Sequence, residues 1–371
     1  MNLVMVISSL QMGGAEGIFA RLAGSLAARG HSITLFTLDD GSVPPFYALH
    51  PRIRHRALDL ARTSNGPLAA IFANLGRVRA LRQAIASAFD GQPPQAVLSF
   101  MDATNVLTLL AVGRSLPVVV SERVHPAHYD INLFWRSLRR MAYPRAAAVA
   151  VQTLGVAEFF PPRIRALCHV LPNPVTAPET EGPTPDMHRP LLLGMGRLDR
   201  QKGFDLLLTA FGRLAAHFPD WTLAILGEGP ERERLERQRV SLGLADRILL
   251  PGRLNAPGGV LRKADLFVLS SRFEGFPNAL CEAMACGLPA VAFNCPSGPA
   301  EIVRHEVDGL LVPPGNVEEL TDALSRLMGD ETLRRSFAEQ APNILERFGL
   351  EKVLDMWETI LMHITKDKET K

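Results

Sequence analysis

Apolar residues are gathered in short runs separated by longer amphipathic stretches. Asn2–Ser8 is an apolar run ended by Gly13-Gly14, and Ala15–Ala28 follows with helical composition until Gly30. His31–Thr37 is the next run, with similar ones at Ala96–Phe100, Pro117–Ser121 and Ala147–Gln152. Runs without polar alternation predict strands covered on both faces, and alternation with helices predicts a parallel, doubly wound α/β sheet. The rhythm stops between Asn173 and Pro190, where Pro174, Pro178, Gly182, Pro183 and Pro185 make a linker composition. It restarts with runs near Leu191–Gly194, Thr222–Leu226, Ile248–Leu250, Leu266–Leu269, Ala290–Phe293 and Leu310–Val312. Glu331–Ile364 is helix-like throughout. The pattern predicts two Rossmann-like domains, residues 1–178 and 186–347, followed by a terminal helix over 348–371.

Composition narrows this picture. A chain of 371 residues suits two domains, and 47% hydrophobic with 21% charged residues is ordinary for a soluble enzyme. A formal net charge of +2 argues against a general nucleic-acid binder. The sum hides an asymmetry: residues 1–180 hold 17 Arg and no Lys against 10 acids, a net +7, and the rest hold 23 basic against 28 acidic residues, a net −5. A basic first half is drawn to lipid headgroups and diphosphates, with screening beyond about 10 Å in salt. The four cysteines form no C-x-x-C pair, so buried thiols in a reducing cytoplasm are expected. No apolar run approaches the ~18 residues of a membrane span. The opening MNLVMVISSLQMGG has no basic n-region and reads as a first strand instead of a signal peptide.

Two loops carry most of the chemistry. In Ser271–Glu282, Glu274 follows a buried strand, Pro277 suits the first turn of the next helix, and Gly287 and Pro289 end that helix. Glu282 is expected about two turns into the helix, and the amides of Gly275, Phe276, Asn278 and Ala279 are expected to face an anion. In Gly196–Gly203, Arg197 offers a planar fork and Lys202 a mobile point charge, a pair suited to a diphosphate. The alternatives are a solvated acidic surface and a charged turn. Neither Gly13-Gly14 nor Gly194-Met195-Gly196 completes a G-x-G-x-x-G with a ribose-binding acid, so a nicotinamide site has little support. Asp-x-Asp is missing from the sequence, so no divalent metal is implied.

Gly13-Gly14-Ala15-Glu16, Gly196-Arg197…Lys202-Gly203, Gly227-Glu228-Gly229 and Glu274-x₇-Glu282 resemble, in order and spacing over nearly the whole chain, the retaining glycosyltransferases of family 4 with the GT-B fold. That fold has two Rossmann-like domains facing a central cleft, and the resemblance implies that the terminal helix crosses back to the first domain. It also implies roles. Arg197 and Lys202 hold the donor diphosphate and Glu282 the ribose hydroxyls. Glu274 faces the transferred sugar, with Gly275, Phe276, Pro277 and Asn278 beside it. Gly14 lets the first loop close over the phosphates, and Glu228 and Leu254 border the nucleoside. Neither a cofactor nor a metal is implied, the UDP-sugar being a substrate.

The first half is similar to bacterial N-glycosylation-pathway enzymes that add N-acetylgalactosamine to polyprenyl-diphosphate-linked glycans. The likeness rests on Ser99–Asn105, Ser121-Glu122-Arg123 and Trp135–Pro144. In those relatives Ser-Glu-His follows the strand, whereas here Arg123 stands third and the nearest histidine is His125. Either His125 serves after a loop shift or Arg123 replaces a hydrogen bond to the sugar, with Glu122 beside it. Arg77, Arg79 and Arg82 lie on a predicted helix over Pro67–Ala88, which in the relatives contacts the acceptor diphosphate. A helix packed on the sheet with a solvated basic edge is the alternative. The helix Leu133–Tyr143 interleaves Phe134, Trp135, Leu138 and Met141 with Arg136, Arg139 and Arg140, as interfacial helices and docked core helices both do. The resemblance implies transfer of a hexose or N-acetylhexosamine from a UDP-sugar to a lipid-linked glycan, by a peripheral enzyme on the cytoplasmic face of the bacterial plasma membrane. The rivals are a transferase with a soluble acceptor and a catalytically silent sugar-nucleotide-binding subunit.

Overall fold

The computed structural model describes every residue except 62–66, 125, 128–132, 180–184, 186, 255 and 370–371, with side chains of 67–72 and 367–369 also left aside. The chain divides into two compact units: Met1–Pro172 with Val353–Lys371, and Asn173–Lys352.

The first unit holds seven parallel strands: β1 (Asn2–Ile7), β2 (Ser32–Thr37), β3 (Ile53–Ala57), β4 (Ala96–Phe100), β5 (Val118–Ser121), β6 (Ala148–Val151) and β7 (Cys168–Val170). Their spatial order is β3-β2-β1-β4-β5-β6-β7. The second unit holds β8 (Leu191–Met195), β9 (Thr222–Leu226), β10 (Ile248–Gly252), β11 (Leu266–Leu269), β12 (Ala290–Phe293) and β13 (Gly309–Val312), ordered β10-β9-β8-β11-β12-β13. Both are doubly wound sheets whose order reverses beside the first strand, between β1 and β4 and between β8 and β11. Ligands of such sheets bind at the strands' C-terminal ends at that reversal.

The central strands are buried end to end because helices cover both faces. The polar edge strands β3 and β7 escape the pattern of apolar runs. Ile53-Arg54-His55-Arg56-Ala57 alternates between half-buried and exposed, and Cys168-His169-Val170 is only three residues long. The charges of β3 and the shortness of β7 discourage pairing with other chains.

The helix Leu350–Glu369 enters the first unit from Val353. Val353, Leu354, Trp357, Leu361 and Ile364 form its buried stripe, the spacing of one helix face. Trp357 stacks on Phe100 with ring centroids 6.2 Å apart, and Phe100 meets Phe19 edge-on at 4.8 Å. Arg29 pairs with Asp355 and Glu358 at 2.6 Å each, and His31 meets Glu358 at 2.8 Å.

Candidate active site

The loops after β8 and β11 lie side by side because those strands pair, Leu266 with Leu192 and Phe267 with Leu193. After β8, buried Leu198 anchors the loop, its amide donating to the Glu228 carbonyl at 2.9 Å. Asp199 then caps the 3₁₀ turn Arg200–Lys202, accepting from the Lys202 amide at 3.2 Å. Gly203 follows in the left-handed region at φ 62°. A Cβ there would stand 2.1 Å from the Ser270 carbonyl oxygen, so only glycine lets the loops meet.

The loops are then stitched together. Ser270 Oγ donates to the Lys202 carbonyl at 2.9 Å, the Arg272 amide to the Gln201 carbonyl at 2.7 Å, and Gln201 Nε2 to the Phe273 carbonyl at 3.0 Å. Arg272 grips both oxygens of Asp205 at 2.9 and 2.8 Å. Burial works to raise the Asp205 carboxyl, but Arg272, with Arg234 nearby, holds it below its usual value.

The result is a cation and an acid in contact at the sheet reversal. Lys202 Nζ lies 2.6 Å from Glu274 Oε1, and Ser271 Oγ donates to the same oxygen at 2.6 Å. Glu274 is only 4% exposed. Arg197 stands apart, its side chain 72% exposed and 3.9 Å from the Asp199 carboxylate. Ser297 Oγ donates to the Glu274 carbonyl at 2.7 Å, tying in the loop after β12.

Several expected details change. Pro277 is the N-cap of the helix Asn278–Ala285, so half-buried Glu282 lies little more than one turn in, not two. The Asn278 amide is taken by the Phe276 carbonyl at 2.9 Å, so it does not face a ligand. Its side-chain oxygen accepts from Asn173 at 2.8 Å. Among the described residues, the amides of Gly275 and Phe276 meet no protein acceptor. The Phe276 ring is core, edge-on to Phe348 at 5.8 Å, leaving only its backbone for binding. Glu228 is gripped by Arg232 at 2.6 and 2.7 Å, which holds its carboxyl below the usual range. Leu254 is half-buried against the core. Burial pushes the thiol of Cys295 up to about 12 and that of Cys168 to about 11, leaving both unreactive. The described residues contain no cluster of three metal-ligating side chains.

In the first unit, Gly14 opens the helix Gly14–Ala28 and is exposed, with extended Gly13 as its N-cap. Tyr47, which the sequence did not single out, fixes this loop. Its hydroxyl donates to the Gly13 carbonyl at 2.7 Å and accepts from the Gly13 amide at 3.3 Å. Its ring needs Gly17, where a Cβ would come within 2.9 Å of it. The one available signal was a glycine in the first turn of a helix.

Glu122 and Arg123, expected at the acceptor, are both interior. Glu122 is 2% exposed. Its carboxyl accepts a short hydrogen bond from Tyr143, whose hydroxyl in turn accepts from Asn105 Nδ2 at 3.1 Å. Burial, the Asp102 charge and a hydrogen bond to Asp102 push Glu122 well above the usual carboxylate range, against Arg139 and Tyr143. Arg139 pairs with Asp102 at 2.9 Å. The Arg123 guanidinium lies 4.2 Å from the Phe100 ring centroid and 5.6 Å from that of Trp357, and burial brings its pKa down to about 9. His125 lies outside the described residues. The Arg82 guanidinium donates to the carbonyls of Ala111 at 2.7 Å and Leu110 at 3.3 Å, capping the helix Asp102–Val112. Arg77 donates to Asn74 at 2.7 Å. Arg79 is exposed with no ion-pair partner among the described residues.

Residues 179–344 match the family model "Glycosyl transferases group 1", and residues 13–174 match "Glycosyl transferase 4-like domain". The second half thus carries a group 1 glycosyltransferase domain and the first a glycosyltransferase 4-like domain, on a GT-B fold. It is 38% identical over 219 residues to an exopolysaccharide phosphotransferase of Streptomyces coelicolor, covering 59% of this chain but 22% of that protein. It is 26% identical to the Campylobacter jejuni "GalNAc-alpha-(1->4)-GalNAc-alpha-(1->3)-diNAcBac-PP-undecaprenol alpha-1,4-N-acetyl-D-galactosaminyltransferase", over 98% of this chain and 99% of that one. Among solved structures, a sucrose-phosphate synthase from Thermosynechococcus elongatus superimposes with a TM-score of 0.79 at 20% identity, covering 99% of this chain and 100% of that one. An Anabaena protein in complex with UDP gives 0.76 at 18% identity, covering 98% and 100%. At these identities the structural likeness establishes the fold. Among the described residues, no helix is long and apolar enough to cross a membrane.

Proposed function

We propose that this protein transfers a hexose or N-acetylhexosamine, with retained anomeric configuration, from a UDP-sugar to a polyprenyl-diphosphate-linked glycan at the cytoplasmic face of a bacterial plasma membrane. The observation that carries the reading is the 2.6 Å contact of Lys202 with Glu274 at the reversal point of the second sheet. There a UDP leaving group would gather negative charge, and fixed cations stabilise it most as the sugar departs. Lys202 exchanges Glu274 for a phosphate oxygen, exposed Arg197 folds onto the diphosphate, and the Gly275 and Phe276 amides face it. Glu274, released from Lys202, faces a sugar hydroxyl, and Glu282 takes the ribose. Retention follows if the leaving phosphate oxygen accepts the acceptor hydroxyl's proton on the face it vacates. His125, Gly14 and Arg79 belong to the acceptor side of this reading. The full-length likeness to a transferase acting on an undecaprenol-linked glycan supports the acceptor class.

The test is a screen of UDP-sugars against membrane-extracted polyprenyl-linked acceptors and soluble sugars, read by product mass and by anomeric configuration in NMR. Product on the lipid-linked acceptor alone is expected. Transfer only to soluble acceptors would overturn the acceptor class, and binding without turnover of any donor would make the chain a silent subunit. With cations taking the charge, a chelator should leave the rate unchanged.

A further inference from the structure

The helix Leu133–Ala142 has one face accounted for and one not. Arg139 and Ala142 are buried, and Trp135 and Leu138 pack partly against the core. The opposite face of a docked helix is normally polar. Here Leu133 is 78% exposed, Met141 68% and Phe134 47%. At 3.6 residues per turn, Leu133, Ser137, Met141 and Phe134 follow one another around this face, with exposed Arg136 and Arg140 along its border. The helix carries no acid. Apolar residues rimmed by arginines match the boundary between lipid headgroups and acyl chains, not bulk water.

We propose that this face docks the first unit on an anionic bilayer, with Leu133, Phe134 and Met141 entering the interface and Arg136 and Arg140 meeting lipid phosphates. Charge selects this occupant over a second copy of the chain. A symmetric contact would set Arg136 and Arg140 against their own copies, on a half that already carries net +7. The inference deepens the lipid-linked acceptor reading and rests on it for purpose only.

The full chain is sedimented with vesicles of phosphatidylglycerol and phosphatidylcholine, and with phosphatidylcholine alone, in the absence of acceptor. Preferential binding to the anionic vesicles is expected. Leu133→Ser/Phe134→Ser/Met141→Ser and, separately, Arg136→Glu/Arg140→Glu should each weaken it by on the order of tenfold or more. Transfer to the lipid-linked acceptor dispersed in detergent, without vesicles, should stay at the wild-type rate in both. Should the triple variant fail to fold, Leu133→Ser alone replaces it. Unchanged vesicle binding in the variants, or none by the wild type, overturns the proposal. So does a wild-type dimer that the apolar substitutions dissolve. Because binding is read without acceptor, losing it leaves glycosyl transfer standing, and failed transfer leaves docking standing.

Discussion

Glu122 shows how far burial changes what a residue can do. Its carboxyl is held well above the usual range, so the folded chain keeps a proton that the unfolded chain releases above about pH 4.3. Folding therefore binds a proton, and Glu122 subtracts stability as pH rises from there towards its folded value. Glu122→Gln should flatten the decline of thermal midpoint between pH 5 and 9, and parallel curves for the two proteins would refute this. Lys202 illustrates the opposite situation, a cation only partly buried and paired with Glu274. Lys202→Ala and Glu282→Ala should each lower kcat/KM for the donor, a charge-assisted contact being worth about 1.5–3 kcal/mol. Wild-type donor kinetics in both would sink the site. Tyr47→Phe keeps the ring against Gly17 but removes both bonds to Gly13. Turnover should fall while the thermal midpoint moves little, whereas equal losses would make Tyr47 merely structural.

At the scale of elements, residue type reveals most where each residue makes its own case. The buried strands β1, β4, β8, β11 and β12 were legible because a continuous apolar run has few other uses in a soluble chain. Edge strands β3 and β7 were not, since their neighbours supply hydrogen bonds that no local pattern encodes. The cations and acids of the Arg197–Lys202 and Glu274–Glu282 loops were legible, but not the stitching of these loops by Gln201, Asp205 and Arg272, which depends on two strands pairing far apart in sequence. Gly203→Ala probes that stitching. Its Cβ would strike the Ser270 carbonyl oxygen, so the loss should exceed the ~1–2 kcal/mol that a left-handed conformation alone costs a residue with a Cβ, and take donor use with it. Retained stability, read by denaturant midpoint, would show that the loops can part.

For the whole molecule, the last helix decides what holds the first unit. Trp357 is fully buried on Phe100, under the guanidinium of Arg123. Trp357→Ala should cost about 3–5 kcal/mol, lowering hydrogen-exchange protection in β1, β2 and β4 while β8–β13 keep theirs. Uniform loss across both sheets would contradict the division into units. The sequence by itself determined two doubly wound sheets and the placing of cations and acids on the β8 and β11 loops, because hydrophobic periodicity and residue type are local, whereas the expected linker from Asn173 belongs to the second unit, with Val175 in its core. Only the tertiary structure decided which charges remain available. Glu122, Arg123 and Arg82 read alike with Arg79 and Arg197 on paper. Burial, stacking on aromatic rings and distant carbonyls claim the first three, and none of those partners lies within a few residues along the chain.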